Sequence, residues 1–338
     1  ELGFNIDFAK NFTLEYSYSD KLTSDQILLA PASVVTGYQN QWVNAGTLKA
    51  VTNEIAFGAV LAQRGNFFWR LNVTADRTRQ TVEKLNVSPF LVGPDPGDDN
   101  TRIFWIAEGE TFGQLYGSRW IRSARQMQEA IDNGGYPGTI DDYVRNEEGY
   151  YVRASEWRTV DEVPLRYVNA EGNTVMKIGD VNPDFNMAFN TQMNWGNFSV
   201  TAVINWVQGG DIYNYTRQWP IFDLRDPVID QRGKPEIEKK TINYYSAFYN
   251  NFDPSDYFVE NGTYVRLREL AINYSLPTSV LDRVGLAGRT VRLGVVGRNL
   301  LTFTDYSGYD PDVSGPGGGN PFAYRVDYFT YPVFRTFT

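Results

Sequence analysis

The sequence predicts an all-β fold, a transmembrane antiparallel β-barrel. Three observations carry this. Large apolar residues alternate strictly with polar ones in long ribbons, connections alternate between very short and very long, and the chain is low in charge and rich in Tyr, Phe, Asn and Thr. Its 338 residues include 22 Tyr and 21 Phe, no Cys and no His, and carry a net charge of -9. Mean hydropathy is -0.40. The longest apolar run, Ile55 to Ala62, falls far short of the roughly eighteen residues a membrane helix needs. A barrel hides its lipid face in alternation, so a polar average is compatible with one.

Leu2, Phe4, Ile6 and Phe8 share one face of a short first strand, and Ala9-Lys10-Asn11 turns it. The return strand sets Phe12, Leu14, Tyr16 and Tyr18 opposite Thr13, Glu15, Ser17 and Ser19. A polar loop is expected from about Thr23 to Thr47, then a strand over Leu48 to Leu61 and a turn over Ala62 to Asn66. The next strand places Phe67, Trp69, Leu71, Val73 and Ala75 against Arg70, Asn72, Thr74 and Asp76. Arg70 and Asp76 decide which side meets lipid, because a charge there costs about 2–4 kcal/mol at midplane.

The segment from about Arg77 to Pro183 is an expected long loop. It holds a Pro/Gly/Asp cluster from Gly93 to Asp99 and one helix, Ser118 to Asp132, stopped by Gly134-Gly135 and Pro137. The clearest ribbon follows. Phe185, Met187, Phe189, Thr191, Met193 and Trp195 alternate with Asn186, Ala188, Asn190, Gln192 and Asn194. Gly196-Asn197 is a tight turn signal. Phe198, Val200, Ala202, Ile204 and Trp206 then line one face of the return arm. Each arm is about eleven residues long, against about five or six for an ordinary strand and about nine to eleven for a tilted membrane strand. Gly209 to Asn261 is a second long loop, and Thr263 to Leu276 is a strand ended by Pro277. Thr278 to Val284 forms a helical turn. Val291, Leu293, Val295, Leu301 and Phe303 mark the next strand, Ser314 to Asn320 a Gly-rich loop, and Tyr331 to Thr338 the last strand.

Every second connection is short, and the long ones (23–47, 81–183, 209–261 and 304–330) all fall at one end, as in outer-membrane barrels. A soluble β-sandwich gives the same alternation with its apolar row inward, but has no reason to gather long loops at one end. About nine strands are expected. Their odd number cannot close as an antiparallel barrel, so the chain reads as a fragment that begins in mid-strand.

The composition also limits chemistry. Without Cys there are no disulfides, Fe–S clusters or thiol nucleophiles, and without His the commonest general base is missing. The acidic balance argues against nucleic acid as a partner. Gly315 to Asn320 is not a phosphate loop, since no Lys-Ser/Thr pair follows it. Asp95, Asp98 and Asp99, and likewise Asp310 and Asp312, offer hard oxygens for calcium, but their spacing fits no EF-hand and a solvated acidic turn accounts for them. Trp157, Trp219, Tyr213 and Tyr215 lie in long loops, where they either stack on sugar rings or grip peptides, or pack within the loop. No catalytic, cofactor or metal site is expected, and no substrate-binding residue can be assigned.

The stretch Asn261-Gly-Thr-Tyr-Val-Arg-Leu-Arg-Glu-Leu-Ala-Ile-Asn-Tyr-Ser-Leu-Pro277 resembles the C-terminal half of the SusC/RagA family of TonB-dependent outer-membrane transporters. Gly297-Arg-Asn-Leu-Leu-Thr-Phe-Thr304, Gly308-Tyr-Asp-Pro311, Tyr331 to Thr338, Gly179 to Phe185 and Gly210 to Asn214 extend the match through nearly the whole chain. The stretch from about Arg119 to Tyr167 is longer than that pattern leads one to expect. The resemblance implies residues 1–338 are the C-terminal part of a 22-stranded barrel, with the plug domain and TonB box lying outside this chain. The family's last strand also continues past the final Thr. The implied function is TonB-dependent import of an oligosaccharide or peptide across the outer membrane of a Gram-negative bacterium, with a SusD-like surface lipoprotein as lid. A passive porin or adhesin-like barrel, or a soluble glycan-binding β-protein, are the rival readings.

Overall fold

The computed structural model describes residues 1–93, 102–248, 254–313 and 324–338. Among them, nine strands form one sheet in chain order, every neighbouring pair antiparallel. They are β1 (Leu2–Phe8), β2 (Phe12–Pro31), β3 (Asn40–Arg64), β4 (Phe67–Leu85), β5 (Phe185–Trp195), β6 (Phe198–Gln208), β7 (Tyr264–Ser275), β8 (Arg292–Thr304) and β9 (Thr336–Phe337). The sheet is open within these residues.

Register turns the alternation of each strand into two uniform faces. On one rung Ile6, Leu14, Phe57, Val73, Phe189, Ile204, Leu267 and Leu301 stand side by side across eight strands. On the next, pointing the other way, stand Asn5, Glu15, Ala56, Thr74, Ala188, Asn205, Arg266 and Thr302. A slip of one residue in any strand would flip its whole set, so this agreement fixes the faces. The bulky rows stay outside every hydrophobic core cluster, with Trp195 70 % and Phe303 65 % exposed.

The turns at the other end from the loops are tight. Gly65-Asn66 and Gly196-Asn197 each join two strands, with Gly65 at φ 59° and Gly196 at φ 57°. A two-residue hairpin with glycine first needs that left-handed value. The two turns are tied together, Gly196 N donating to Asn66 O at 2.9 Å.

The hydrophobic core sits in the long connections. Residues 90–92, 104–106, 114–118 and 175–180 build a four-stranded antiparallel sheet. Its Phe104, Ile106, Leu115 and Ile178 pack with Tyr213, Ile221, Phe258 and Val326 from the later connections. A second cluster joins Ile121, Met127, Tyr143, Tyr151 and Leu165. A third holds Trp120, Tyr244, Tyr245 and Phe248, with the Trp120 and Phe248 rings edge-on at 4.9 Å. Connections far apart in sequence thus fold as one body at one end of the sheet.

Three expectations need correction. The loop 23–47 is mostly strand, because β2 and β3 run on as a tall hairpin to Pro31 and Asn40, and β4 likewise to Leu85. There one face packs on the loop core through Leu28, Ala30, Val43, Leu48 and Val82 instead of lining a wet lumen, so the alternation that marks a membrane strand disappears. Asp25, at φ 55°, also breaks the period where the register shifts. The helix is α1 (Ala124–Asp132), six residues shorter than expected at its start. Ser123 and Gln126 form a reciprocal capping box, and Trp120 before it pairs with Arg166 as extended chain. The last strand is confined to β9; Tyr331 to Arg335 carry no strand pairing, and Pro332 has no amide to donate. The acidic positions Asp95, Asp98 and Asp99 and the Gly-rich stretch 315–320 lie outside the described residues.

Candidate functional site

The polar face of the sheet is the inner wall of the barrel segment, and at its upper end the last long connection folds onto it. Arg266, on β7, is 1 % exposed and forms an ion pair with Asp310. Its Nε donates to Thr302 Oγ1 at 3.1 Å, and Asp312 lies 3.6 Å from its Nη1. Arg268, at the bulge where β7 pairs with β8, reaches Asp312 at 2.5 Å. Asp310 therefore holds its own loop as well, accepting from Asp312 N at 2.9 Å and Val333 N at 3.2 Å. Instead of the expected solvated acidic turn, a buried Asp310 and a partly buried Asp312 face two arginines.

Arg325 anchors the far side of the same connection. It is buried, adopts φ 56°, and donates to Gly209 O at 3.0 Å and Gly262 O at 3.1 Å. Asp327, also buried, accepts from Tyr306 OH at 2.6 Å and Thr216 Oγ1 at 2.9 Å. Between the wall and this connection lies a cavity of about 360 Å³, lined on the wall side by Thr74, Asp76, Asn186, Asn205 and Tyr264 and on the loop side by Asp312 and Arg325. Asn186 Nδ2 donates to Asp76 Oδ2 at 2.9 Å.

A second buried charge cluster stiffens the loop body. Lys240 Nζ, 1 % exposed, lies 2.8 Å from Glu162 and 3.0 Å from Glu147. Glu162 also accepts from Asn146 Nδ2 at 2.8 Å and Arg158 N at 2.8 Å. Partial burial opposes ionisation of Glu147, but hydrogen bonds from its own backbone, Arg158 and Lys240 outweigh it and hold the carboxyl down at about 2.

The loop aromatics divide. Tyr213 is fully buried, with its hydroxyl 2.7 Å from Gln218 Oε1. Tyr215 stacks on Tyr328 at 4.7 Å between centroids, and Trp219 packs on the same core. These three are core residues. Trp157 is half-buried, with the Arg158 guanidinium 4.3 Å over its ring. Among the described residues no cluster of three or more acidic side chains is arranged to hold a metal ion. What the wall offers is hydrogen bonding and charge. The sequence missed the Arg266, Asp310 and Asp312 cluster because its partners are 44 residues apart; the signal it did carry was two arginines, Arg266 and Arg268, close together in one strand.

No protein-family model matches the chain. It is 27 % identical over 362 residues to the TonB-dependent receptor P3 of Formosa agariphila, covering 100 % of this chain and 33 % of that protein. It is 24 % identical over 334 residues to the TonB-dependent receptor P26 of the same organism, covering 96 % and 32 %. Its fold is similar to the RagAB peptide importer in the closed-closed state, with TM-score 0.63, 17 % identity, and coverage of 99 % of this chain and 34 % of that one. For the open-open state the TM-score is 0.63 and the identity 18 %. The chain thus spans about a third of the length of the curated relatives it matches.

A two-faced antiparallel sheet with its loops gathered over one end defines the class: a segment of a transmembrane antiparallel β-barrel. Within that class, the chain is similar in sequence to TonB-dependent receptors and in fold to the RagAB peptide importer.

Proposed function

We propose that the protein to which this chain belongs imports a nutrient, an oligosaccharide or a peptide, across the outer membrane of a Gram-negative bacterium by TonB-dependent active transport. The chain supplies the lipid-facing wall, the polar lining of the lumen and the loop body at the extracellular mouth. Substrate is captured between that mouth and a SusD-like lipoprotein lid. TonB, acting through the N-terminal plug region that the reading places outside this chain, then opens the path. The observation that carries this is the rung-by-rung separation of apolar and polar faces, with a buried, charge-anchored loop body on the polar side alone. The named relatives, all TonB-dependent receptors, support it.

The test is uptake of labelled peptides and oligosaccharides by cells carrying the full-length protein, with TonB present or deleted, together with copurification of a surface lipoprotein. Uptake that stops without TonB is expected. Uptake that persists without TonB would instead mark a passive porin.

A further inference from the structure

The cavity between wall and last connection is polar in an unbalanced way. Arg325, the one cation among the described lining residues, already spends both terminal nitrogens on the carbonyls of Gly209 and Gly262. The acceptors are less engaged. Among the described residues Asp76 is met by Asn186 alone, and the side chains of Thr74 and Asn205 make no hydrogen bond. Tyr264, only 4 % exposed, lines the cavity with a hydroxyl that has no hydrogen-bond partner among the described residues. Its ring is packed away while the hydroxyl itself is not among the sealed, unpartnered polar atoms, so that oxygen is open to a molecule entering the cavity.

Glu54 adds to the imbalance. It stands directly opposite Asp76 across β3 and β4, and neither carboxylate has a cation partner among the described residues. Like charges opposite each other on a sheet are destabilising. A second recess, of mixed polar and apolar lining, shares Thr74 and Asp76 with the cavity and brings Glu15 and Glu54 beside them. A bound cation would relieve the repulsion and gain a charge-assisted hydrogen bond.

We propose that this cavity is a subsite for a primary ammonium group carried by the imported molecule, such as a lysine side chain, with Asp76 as its carboxylate and Tyr264 as a supporting acceptor. The volume is in the range of small-ligand pockets. The inference rests on the import reading and narrows its substrate class to amine-bearing peptides. Anionic sugars are disfavoured by the same carboxylates.

The test is calorimetric titration of the detergent-purified full-length protein with a terminally blocked lysine tripeptide and its Nε-acetyl counterpart. Acetylation is expected to weaken binding by about tenfold or more. Asp76→Asn should remove most of that difference, and Tyr264→Phe should weaken the lysine form by a few-fold. Equal binding of the two peptides, binding of neither, or an unchanged preference in folded Asp76→Asn overturns the subsite. The acetylation comparison needs no variant, so it stands even if a substitution impairs folding. TonB-dependent uptake indifferent to acetylation would defeat the subsite alone. Charge-selective binding without TonB-dependent uptake would defeat the import reading alone.

Discussion

Arg266 and Asp310 form a buried ion pair that fastens the last long connection to the inner wall of the sheet. Asp312, 3.6 Å from Arg266 and 2.5 Å from Arg268, completes the fastening. Removing one partner of a buried pair leaves an uncompensated charge and costs about 3–5 kcal/mol. Asp310→Asn should therefore lower the thermal midpoint of the loop body and open residues 305–313 to protease while the barrel stays intact. Unchanged protease resistance would show that the pair does not hold the loop.

Lys240 is the corresponding point within the loop body, since it neutralises Glu162 and lies 5.6 Å from the centre of the Tyr244 ring. Lys240→Met should loosen the contact between 146–162 and 228–245, read as faster amide exchange in both segments. A double change with Glu162→Gln should recover part of the loss, because no unpaired charge then remains.

The same cluster sets a pH dependence. Glu147 is held at about 2 in the folded protein, below its ordinary value of 4.5. A depressed carboxylate contributes stability that is complete above its unfolded value and is lost as pH falls through the folded one. Amide exchange in the loop body should thus rise as pH drops from about 4.5 towards 2, after correction for intrinsic exchange. Glu147→Gln should flatten that part of the profile.

Turn glycines are a fourth handle. Gly196 holds φ 57° in a two-residue hairpin, and its amide ties that turn to the Gly65-Asn66 turn. Gly196→Ala should destabilise the hairpin by about 1–2 kcal/mol, the cost of a left-handed backbone for a residue with a Cβ. Urea unfolding in lipid vesicles measures it.

What could be read from the sequence follows from where water lies. Between Phe185 and Gln208 one face meets lipid and the other a wet lumen, so period two is unbroken and both arm ends and the turn match the structure. Above the membrane the pattern carries no such information. Thr23 to Thr47 therefore reads as loop although most of it is paired strand. The start of α1 is blurred because Trp120 and Ile121 are buried in extended chain, which mimics a helical apolar face. The candidate site was least legible. Arg266 and Asp310 meet only after the loop folds back, and a local reading of Asp310 and Asp312 favours a solvated turn.

The central claim is that Phe189 and Ile204 face hydrocarbon while Asn190 and Asn205 face the lumen. Because this chain has no native Cys, single Phe189→Cys, Asn190→Cys, Ile204→Cys and Asn205→Cys variants can each carry a nitroxide label in lipid vesicles. Spin relaxation by lipid-soluble oxygen and by a water-soluble nickel chelate then reads the two faces. The account predicts strong oxygen and weak nickel effects at 189 and 204, and the reverse at 190 and 205. Labels at 189 and 204 shielded from both reagents, or reached by nickel, would contradict it.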